Sequence, residues 1–287
     1  DRRLSGKPRM NELAWVDGRI LPLAEARIAL DSPGFLLGDG VFETLRTRRG
    51  RVFRWDLHAA RFAKGLAALD IAPAALPIAE RAARELAGAA ANCEDDLSLR
   101  VQVSRDASGI GEVSALIRPL PPRVERLYRE GARLAIATSR RDPADPLAGV
   151  KSLSYLPQVL ARRAARARGF DDALILNTPG RVCEAAHANV IARSGRRLYA
   201  PGREEGALDG VTRRVLLDDI AAGEDELQFR LERSELEAAE ELVLTSTLAG
   251  VIPVASIEGV AKSYAGSAGE LARGLARRYE VLLESGV

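Results

Sequence analysis

Residues 149–156 read Gly149-Val150-Lys151-Ser152-Leu153-Ser154-Tyr155-Leu156 and place a lysine in a long stretch that otherwise lacks lysine. The chain holds 42 lysines and arginines among 287 residues, but only four of them are lysines. Arginine would serve solubility equally well, whereas only an amine can lose its proton and form a Schiff base with an aldehyde. Lys151 is therefore a candidate nucleophile. The Ala- and Arg-rich run behind it predicts a helix over residues 152–167.

The composition of the chain is that of an ordinary globular protein, with 47% hydrophobic and 29% charged residues and a net charge of +2. The near balance of charge and the 5% of aromatic residues argue against nucleic-acid partners. No apolar run approaches the roughly 20 residues of a membrane helix, and two cysteines fit a reducing compartment. Two histidines are too few to indicate a zinc site, so no metal is expected. We predict a cytoplasmic protein without membrane or nucleic-acid partners.

Strand and helix patterns predict an α+β fold in two domains. The polar residues 1–10, which end at the only methionine, are expected to be a leader or an expression remnant outside the fold. Residues 11–118 are predicted to form the N-terminal domain. Pro119-Leu120-Pro121-Pro122 interrupts the pattern of strands, so residues 119–130 are expected to link the domains. Residues 131–287 would form the C-terminal domain.

Three further segments of the second half could join Lys151 in holding a phosphorylated aldehyde. Glu184 follows a predicted strand and a tight turn, and a carboxylate beside a pyridine nitrogen keeps that nitrogen protonated, which makes the ring an electron sink. Gly210-Val211-Thr212 begins a predicted helix, whose free N–H groups would bind phosphate. Thr245-Ser246-Thr247 adds hydroxyl groups at a predicted strand end.

Each of these segments also has an ordinary structural interpretation. Lys151 could be a surface lysine and Glu184 a solvated charge at a strand end. The two candidate phosphate sites could be a capped helix and a polar loop. Taken one by one, these residues leave the function open. Their order along the chain is what distinguishes them.

Six segments carry a resemblance to a known family. They are Gly38-Asp39-Gly40-Val41-Phe42-Glu43-Thr44-Leu45-Arg46, His58-Ala59-Ala60-Arg61-Phe62, Lys151-Ser152-Leu153-Ser154-Tyr155-Leu156, Val182-Cys183-Glu184-Ala185-Ala186-His187-Ala188-Asn189-Val190, Leu208-Asp209-Gly210-Val211-Thr212-Arg213, and Thr245-Ser246-Thr247 with Ile252-Pro253-Val254 behind it. In this order they resemble the class IV aminotransferase superfamily, the fold type IV pyridoxal-phosphate enzymes. That superfamily includes branched-chain aminotransferases, D-amino acid aminotransferases and aminodeoxychorismate lyases.

The resemblance runs from Trp15 to Pro253 and implies an architecture. The fold would be the two-domain α+β fold of the D-amino acid aminotransferase type, with pyridoxal 5'-phosphate in the interdomain cleft. Residues 131–287 would be the cofactor-binding domain. The resemblance further implies at least a homodimer, in which loops of the N-terminal domain reach the pocket of the other subunit.

The resemblance also implies roles for individual residues. Lys151 would hold the cofactor as an internal aldimine and, once freed by substrate, would move the proton. Glu184 would pair with the pyridinium nitrogen. Arg61 would bind the phosphate through two N–H groups, although on a helix it could instead pair with Asp56 or Glu43. The other implied cofactor contacts are Tyr155 at the ring oxygen, Leu208 against the ring face, and Gly210, Val211, Thr212, Ser246 and Thr247 around the phosphate.

The substrate follows less directly from the same segments. Thr44 stands where aminodeoxychorismate lyases characteristically have a threonine, and Phe42 lies two residues before it on a predicted strand. Leu248 and Ala249, behind the hydroxyl-rich loop, would also line the substrate pocket. The lyase-type arginine expected near Ile110 is absent, as is the Arg-x-His carboxylate trap of the D-amino acid enzymes.

A substitute cation could come from Arg105 or Arg46, although an arginine at a strand end is more often structural. We predict an aminotransferase that moves an amino group between an amino acid, D- or branched-chain, and a 2-oxo acid. The first alternative is an aminodeoxychorismate lyase, which releases pyruvate to give 4-aminobenzoate. The second is a non-catalytic protein that binds a small molecule and has kept the fold.

Overall fold

A computed structural model describes residues 12–106, 111–220 and 226–285. The chain divides into two compact units. Of the described residues, the first unit contains those up to Pro122 together with Val150–Ser154, and the second contains those of Arg123–Gly149 and Tyr155–Ser285. Lys151 therefore belongs to the first unit. The predicted domain boundaries stay a prediction, and the expected leader, residues 1–10, lies outside the described residues.

The first unit is built on a six-stranded antiparallel sheet with the strand order β2-β1-β6-β5-β3-β4. Its strands are β1 (Leu13–Val16), β2 (Arg19–Pro22), β3 (Gly40–Arg48), β4 (Arg51–Val52), β5 (Leu97–Ser104) and β6 (Glu112–Pro119). The helices are α1 (Pro33–Leu36), α2 (Trp55–Ala68) and α3 (Ala75–Ala89). β3 pairs with β5 over its whole length except for its last residue, Arg48.

One face of this sheet forms the core of the first unit. Alternate residues of β3 and β5, such as Val41, Leu45 and Leu99, pack against Phe62 of α2 and Leu86 of α3. Because side chains alternate across a strand, the residues between them point to the opposite face. That opposite face carries two of the candidate substrate residues, Phe42 and Thr44.

The segment around Lys151 pairs with the start of β3 in the first sheet. The Phe42 N–H donates to the Lys151 carbonyl at 2.9 Å, and the Leu153 N–H donates to the Gly40 carbonyl at 2.8 Å. The predicted helix over residues 152–167 is therefore wrong at its start. α5 spans Leu156–Ala167 and has a proline in its first turn. The backbone of residues 151–153 pairs with β3 and cannot also wind into a helix.

The second unit is built on a mixed eight-stranded sheet with the order β12-β11-β10-β13-β14-β7-β8-β9. The strands are β7 (Ala132–Ile136), β8 (Asp172–Leu176), β9 (Val182–Ala185), β10 (Asn189–Ser194), β11 (Arg197–Tyr199), β12 (Glu226–Gln228), β13 (Glu241–Ser246) and β14 (Gly250–Ile257). The helices are α4 (Glu125–Arg129), α5, α6 (Val211–Ile220), α7 (Arg233–Ala238) and α8 (Glu270–Ser285). These two sheets with their helices confirm the predicted α+β class.

The core of the second unit combines both kinds of strand pairing. β14, β7 and β8 are parallel neighbours, whereas β10, β13 and β14 are antiparallel neighbours. Leu134, Leu174, Val190 and Leu244 are fully or almost fully buried between these strands and the helices. Among the described residues, no helix combines the length and the apolar character that crossing a membrane requires.

Gly40, at the start of β3, generates a prediction about stability. A Cβ at this position would lie 2.3 Å from the carbonyl oxygen of Val103 and 2.7 Å from Cδ1 of Leu153. Gly40→Ala should lower the free energy of unfolding by about 1–3 kcal/mol, because the clash is with neighbouring backbone. Urea denaturation measures the effect.

Gly88→Ala is the matched control for this substitution. Gly88 lies in α3, and a Cβ there would meet nothing within 4 Å. Alanine is favoured over glycine in a helix by about 1 kcal/mol, so this variant should be as stable as the wild type or more stable. Equal stabilities of the Gly40 and Gly88 variants would contradict the prediction.

Candidate active site

Lys151 lies against an aromatic ring of the first sheet. Its Nζ atom is 4.4 Å from the centroid of the Phe42 ring, and Phe42 is 4% exposed. Hydrogen bonds at the Lys151 carbonyl and the Leu153 N–H tie the backbone of this segment to β3. The amine is thus placed by sheet pairing and by an aromatic contact, which favours a functional role over that of an ordinary surface lysine.

A buried carboxylate on β3 holds the candidate phosphate residue Arg61. Arg61 donates from Nε to Glu43 Oε1 at 2.8 Å and from Nη2 to Glu43 Oε2 at 2.6 Å. His58, one helical turn before Arg61, also contacts Glu43 Oε2, through Nδ1 at 2.8 Å. Asp56 pairs with Arg54 instead. The expected alternative pairing of Arg61 with Glu43 is therefore present, and the phosphate role stays a prediction.

The charges of this cluster follow from its burial. Burial raises the pKa of the Glu43 carboxyl, but the charge of Arg61 and the hydrogen bonds from Arg61 and His58 outweigh it and lower the pKa to about 2. Burial lowers the pKa of His58 more than the neighbouring Glu43 raises it. At neutral pH the cluster is therefore a carboxylate, a guanidinium and a neutral imidazole that donates its Nδ1–H.

Arg105, the predicted substrate cation, is anchored within the first unit. It donates from Nε to Asp39 at 2.7 Å, from Nη1 to the Asp70 carbonyl at 3.2 Å, and from Nη2 to the Leu69 carbonyl. Arg46 in turn bonds Asp96 at 2.6 Å. Both arginines pair with a carboxylate of the first unit, and a substrate role for Arg105 stays a prediction. The neighbourhood of Ile110 lies outside the described residues.

Glu184 is a buried hydrogen-bond acceptor on β9, and not a solvated charge. Its Oε2 atom accepts from the Leu208 N–H at 3.0 Å and from Asn189 Nδ2 at 3.2 Å. Arg141 Nη2 lies 3.5 Å from its Oε1 atom. The structure thus brings the candidate residues Glu184 and Leu208 together. Two hydrogen bonds and one ion pair orient the carboxylate.

Asn189 joins three of the candidate segments of the second unit. It lies on β10 opposite Thr245 of β13, and its Nδ2 atom also donates to the Leu208 carbonyl at 2.8 Å. A Cβ at Gly210 would lie 1.8 Å from Asn189 Oδ1. Sequence reasoning did not select Asn189, although the residue stands inside a segment quoted for the resemblance. It did not select Arg141 either, because no pattern marks that position.

The start of α6 has the features of an anion site. The helix begins at Val211, directly after the close approach of Gly210 to Asn189. Thr212 is 2% exposed, and its Oγ1 atom has no hydrogen-bond partner among the described residues. Helix N-terminal N–H groups and a buried hydroxyl are suitable donors for a phosphate. The residues present therefore fit a phosphorylated ligand.

Four more candidates lie where β13 passes into β14: Ser246 is the last residue of β13, and Thr247, Leu248 and Ala249 form the turn. Two tyrosine hydroxyls fix its shape: Tyr279 donates to the Thr247 carbonyl at 2.7 Å, and Tyr128 donates to the Ala249 carbonyl at 2.8 Å. These two hydrogen bonds fix the backbone of the turn, and a fixed backbone is suited to a binding loop.

Tyr155, the predicted partner of the ring oxygen, bonds within the second unit. Its hydroxyl donates to the Ala186 carbonyl at 3.2 Å, and its ring meets His187 edge to face with centroids 5.9 Å apart. These contacts orient the side chain. The contact with a cofactor stays a prediction.

The sequence of residues 40–257 matches the family described as amino-transferase class IV. That match includes all the candidate residues above. The chain belongs to this family. The predicted recognition is confirmed, and the chain is an enzyme of the class IV aminotransferase family.

This class IV aminotransferase is similar to proteins with three activities. Aminodeoxychorismate lyase from Bacillus subtilis is 29% identical over 284 residues, which cover 93% of this chain and 94% of that protein. D-alanine aminotransferase from Bacillus licheniformis is 28% identical over 255 residues, 85% of this chain and 87% of that protein. The crystal structure of the branched-chain aminotransferase from Thermoproteus uzoniensis with norvaline is 27% identical, with a TM-score of 0.79 over 95% of each chain. The fold type IV prediction is confirmed.

The Glu43 cluster of this class IV aminotransferase generates a prediction about stability and pH. Glu43→Gln leaves the Arg61 charge without its carboxylate, which should cost roughly 3 kcal/mol of unfolding free energy at pH 7. The lowered pKa of Glu43 contributes stability that is present above the usual value of 4.5 and lost as pH falls toward about 2. The difference in the free energy of unfolding between wild type and variant should therefore become smaller below pH 4.5. Urea denaturation at several pH values measures it.

Glu80→Gln is the control for Glu43→Gln, because Glu80 also pairs with an arginine, Arg84, but on the exposed surface of α3. Its removal should change the free energy of unfolding by less than about 1 kcal/mol. A Glu43 variant as stable as the Glu80 variant would show that the buried pair contributes nothing.

Proposed function

We propose that this enzyme transfers an amino group between an amino acid and a 2-oxo acid, with bound pyridoxal 5'-phosphate and Lys151 as its reactive amine. The observation that carries the proposal is the placement of Lys151. Its amine lies on the buried ring of Phe42, and its backbone is tied to β3. The chain also belongs to a family of aminotransferases. The pairing with β3 holds the reactive group on a rigid element, as catalysis requires.

Different residues of this chain would have different roles in the reaction. When bound, pyridoxal phosphate supplies an aldehyde that reacts with amines and a ring that accepts electron density. Lys151 Nζ would hold that aldehyde and, after the substrate amine replaces it, would move a proton at the substrate α-carbon. Glu184, buried and oriented by Asn189 and the Leu208 N–H, would accept a hydrogen bond from the pyridine N–H.

Further residues would hold the phosphate and the ring of the cofactor. Arg61 and the N–H groups of Val211 and Thr212 would bind the phosphate, and Leu208 would pack on the ring. The buried Thr212 hydroxyl and the close backbone approach at Gly210 support this assignment. Ser246, Thr247 and the Tyr155 hydroxyl complete the proposed set.

The substrate class and the assembly are further parts of the proposal. We assign D- or branched-chain amino acids as substrates, with Phe42, Thr44, Leu248 and Ala249 lining their pocket. The similar D-alanine and branched-chain aminotransferases support this class. We also assign a cytoplasmic location and a homodimer. Exposed apolar side chains at Ile28, Leu30, Phe35, Leu36 and Leu37 support self-association.

The second candidate function is that of aminodeoxychorismate lyase. The similar lyase from Bacillus subtilis favours it, together with Thr44 on β3. The same lysine chemistry would then release pyruvate from aminodeoxychorismate, with no 2-oxo acid acceptor.

A half-reaction screen separates the two functions. L- and D-amino acids are added one at a time to the protein loaded with pyridoxal phosphate, and the absorbance of the cofactor is followed. Conversion to the amine form of the cofactor by D-alanine or a branched-chain amino acid supports the transaminase. Pyruvate formed from aminodeoxychorismate without an acceptor supports the lyase. If neither occurs, both enzyme assignments are wrong.

Lys151→Ala tests the reactive amine. The wild type loaded with pyridoxal phosphate should absorb near the violet edge of the visible spectrum, and borohydride should fix the cofactor to the chain. Lys151→Ala should lose this fixation, whereas Lys64→Ala, at an exposed lysine of α2, should keep it. Fixation that survives in the Lys151 variant would assign the amine elsewhere.

Gly210→Ala tests the proposed phosphate site. A Cβ at Gly210 would clash with Asn189 Oδ1, so the start of α6 must shift. We expect pyridoxal phosphate to bind at least about tenfold more weakly, since one charge-assisted hydrogen bond contributes about 1.5–3 kcal/mol. Gly274→Ala in α8, where a Cβ meets nothing within 4 Å, is the control. Equal affinities in equilibrium dialysis would place the phosphate away from α6.

A further inference from the structure

The turn between β13 and β14 consists of residues 247–249, because Ser246 at the end of β13 pairs with Gly250 at the start of β14. Gly250 has a φ of +67°, and a Cβ there would lie 2.8 Å from Cδ1 of Tyr279. Glycine is therefore required at this position both by the left-handed backbone and by the contact with the Tyr279 ring. The turn is short and closely packed against α8.

Two tyrosines reach this turn from two different helices. Tyr279 of α8 is 1% exposed, and its hydroxyl donates to the Thr247 carbonyl at 2.7 Å. Tyr128 of α4 donates to the Ala249 carbonyl at 2.8 Å. The Arg123 Cζ atom lies over the Tyr128 ring, 3.8 Å from its centroid, and helps to orient that ring. Each end of the turn thus has its own hydroxyl donor.

Each of these hydrogen bonds orients one peptide group of the turn. In a trans peptide group the carbonyl and the N–H point in opposite directions. The donor that fixes the Thr247 carbonyl therefore also directs the Leu248 N–H to the side away from Tyr279. The bond from Tyr128 orients the peptide group after Ala249 in the same way. Because the two donors act on different peptide groups, each end of the turn can be loosened separately.

A third tyrosine makes the same kind of bond without a proposed ligand beside it. The Tyr264 hydroxyl donates to the Leu236 carbonyl of α7 at 2.9 Å, and Tyr264 is 6% exposed. That bond joins a loop to a helix and involves none of the candidate site residues. At the β13–β14 turn, two such donors converge on three residues that carry proposed ligand contacts. Their convergence indicates that the position of a binding backbone depends on them, and not the stability of the fold alone.

We infer that Tyr279 and Tyr128 are positioning residues for two different ligands of this turn. Tyr279 positions the end at Thr247, which would bind the cofactor phosphate. Tyr128 positions the end at Ala249, which would line the substrate pocket. The inference rests on the function proposed above, since the ligand roles of both ends belong to that proposal. Each tyrosine acts through the backbone that its hydroxyl holds.

Phenylalanine variants test the two hydroxyls one at a time. Tyr279→Phe and Tyr128→Phe each keep the ring and remove one hydrogen bond, and Tyr264→Phe is the matched control that removes the same kind of bond at Leu236. Equilibrium dialysis measures the dissociation constant of pyridoxal phosphate. With the cofactor at saturation, KM and kcat of the half-reaction and calorimetry with 4-methylpentanoate measure the substrate end. Urea denaturation of the unloaded proteins measures their stability.

We expect Tyr279→Phe to raise the dissociation constant of pyridoxal phosphate by about 3- to 10-fold, the value of one neutral hydrogen bond, and Tyr128→Phe to leave it within about twofold of the wild type. Tyr128→Phe should raise KM and the dissociation constant of 4-methylpentanoate by a similar factor, with kcat nearly unchanged. All three variants should lose stability to a similar extent, so binding losses confined to the two turn variants are not an effect of stability.

A turn variant whose own ligand binds within about twofold of the Tyr264→Phe value overturns the assignment of that tyrosine. A variant that weakens both ligands overturns the division of the turn into two ends. A wild type that binds neither pyridoxal phosphate nor 4-methylpentanoate overturns both assignments. If the wild type binds them but performs no half-reaction, the proposed function fails, and dialysis and calorimetry still decide the roles of the two tyrosines.

Discussion

The backbone pairing between β3 and the segment around Lys151 is the constraint on which the site of the first unit depends. Two hydrogen bonds, from Phe42 to the Lys151 carbonyl and from Leu153 to the Gly40 carbonyl, hold the segment in place. They bring a residue more than 100 positions along the chain next to Phe42. The absence of a side chain at Gly40 allows this approach, since a Cβ there would meet both β5 and Leu153. The amine therefore takes its position from a sheet and not from a loop.

The two faces of β3 serve different purposes. Glu43, on the helix-covered face, is a fully buried carboxylate that accepts hydrogen bonds from Arg61 and His58 and whose charge Arg61 neutralises. A buried charge of this kind is costly unless it is paired, so the cluster fixes Arg61 more firmly than a surface ion pair could. On the other face, the Phe42 ring contacts Lys151 and Arg100, and Thr44 lies opposite Arg100. One strand thus anchors the proposed phosphate ligand and presents the proposed substrate contacts.

In the second unit, the side-chain amide of Asn189 fixes the relative positions of candidate residues. Asn189 bonds Glu184 and the Leu208 carbonyl, and its oxygen requires a glycine at position 210. The Glu184 carboxylate of β9 and the start of α6 consequently have fixed relative positions, although 24 residues separate Glu184 from Leu208. The two tyrosines that bond the β13–β14 turn give that loop a comparable rigidity. Rigid placement of this kind lowers the cost of ordering the site when a ligand binds.

The sequence by itself determined the α+β class, the family, and the candidate residues Lys151, Arg61 and Glu184, because these follow from residue type and order along the chain. It misplaced the start of α5, since helix-like composition could not reveal that the backbone of residues 151–153 pairs with β3. It also passed over Arg141 and Asn189, which contact Glu184. Only the tertiary structure decided these points. Whether an arginine faces a carboxylate or an aromatic ring depends on contacts between strands distant in sequence, which no local pattern encodes.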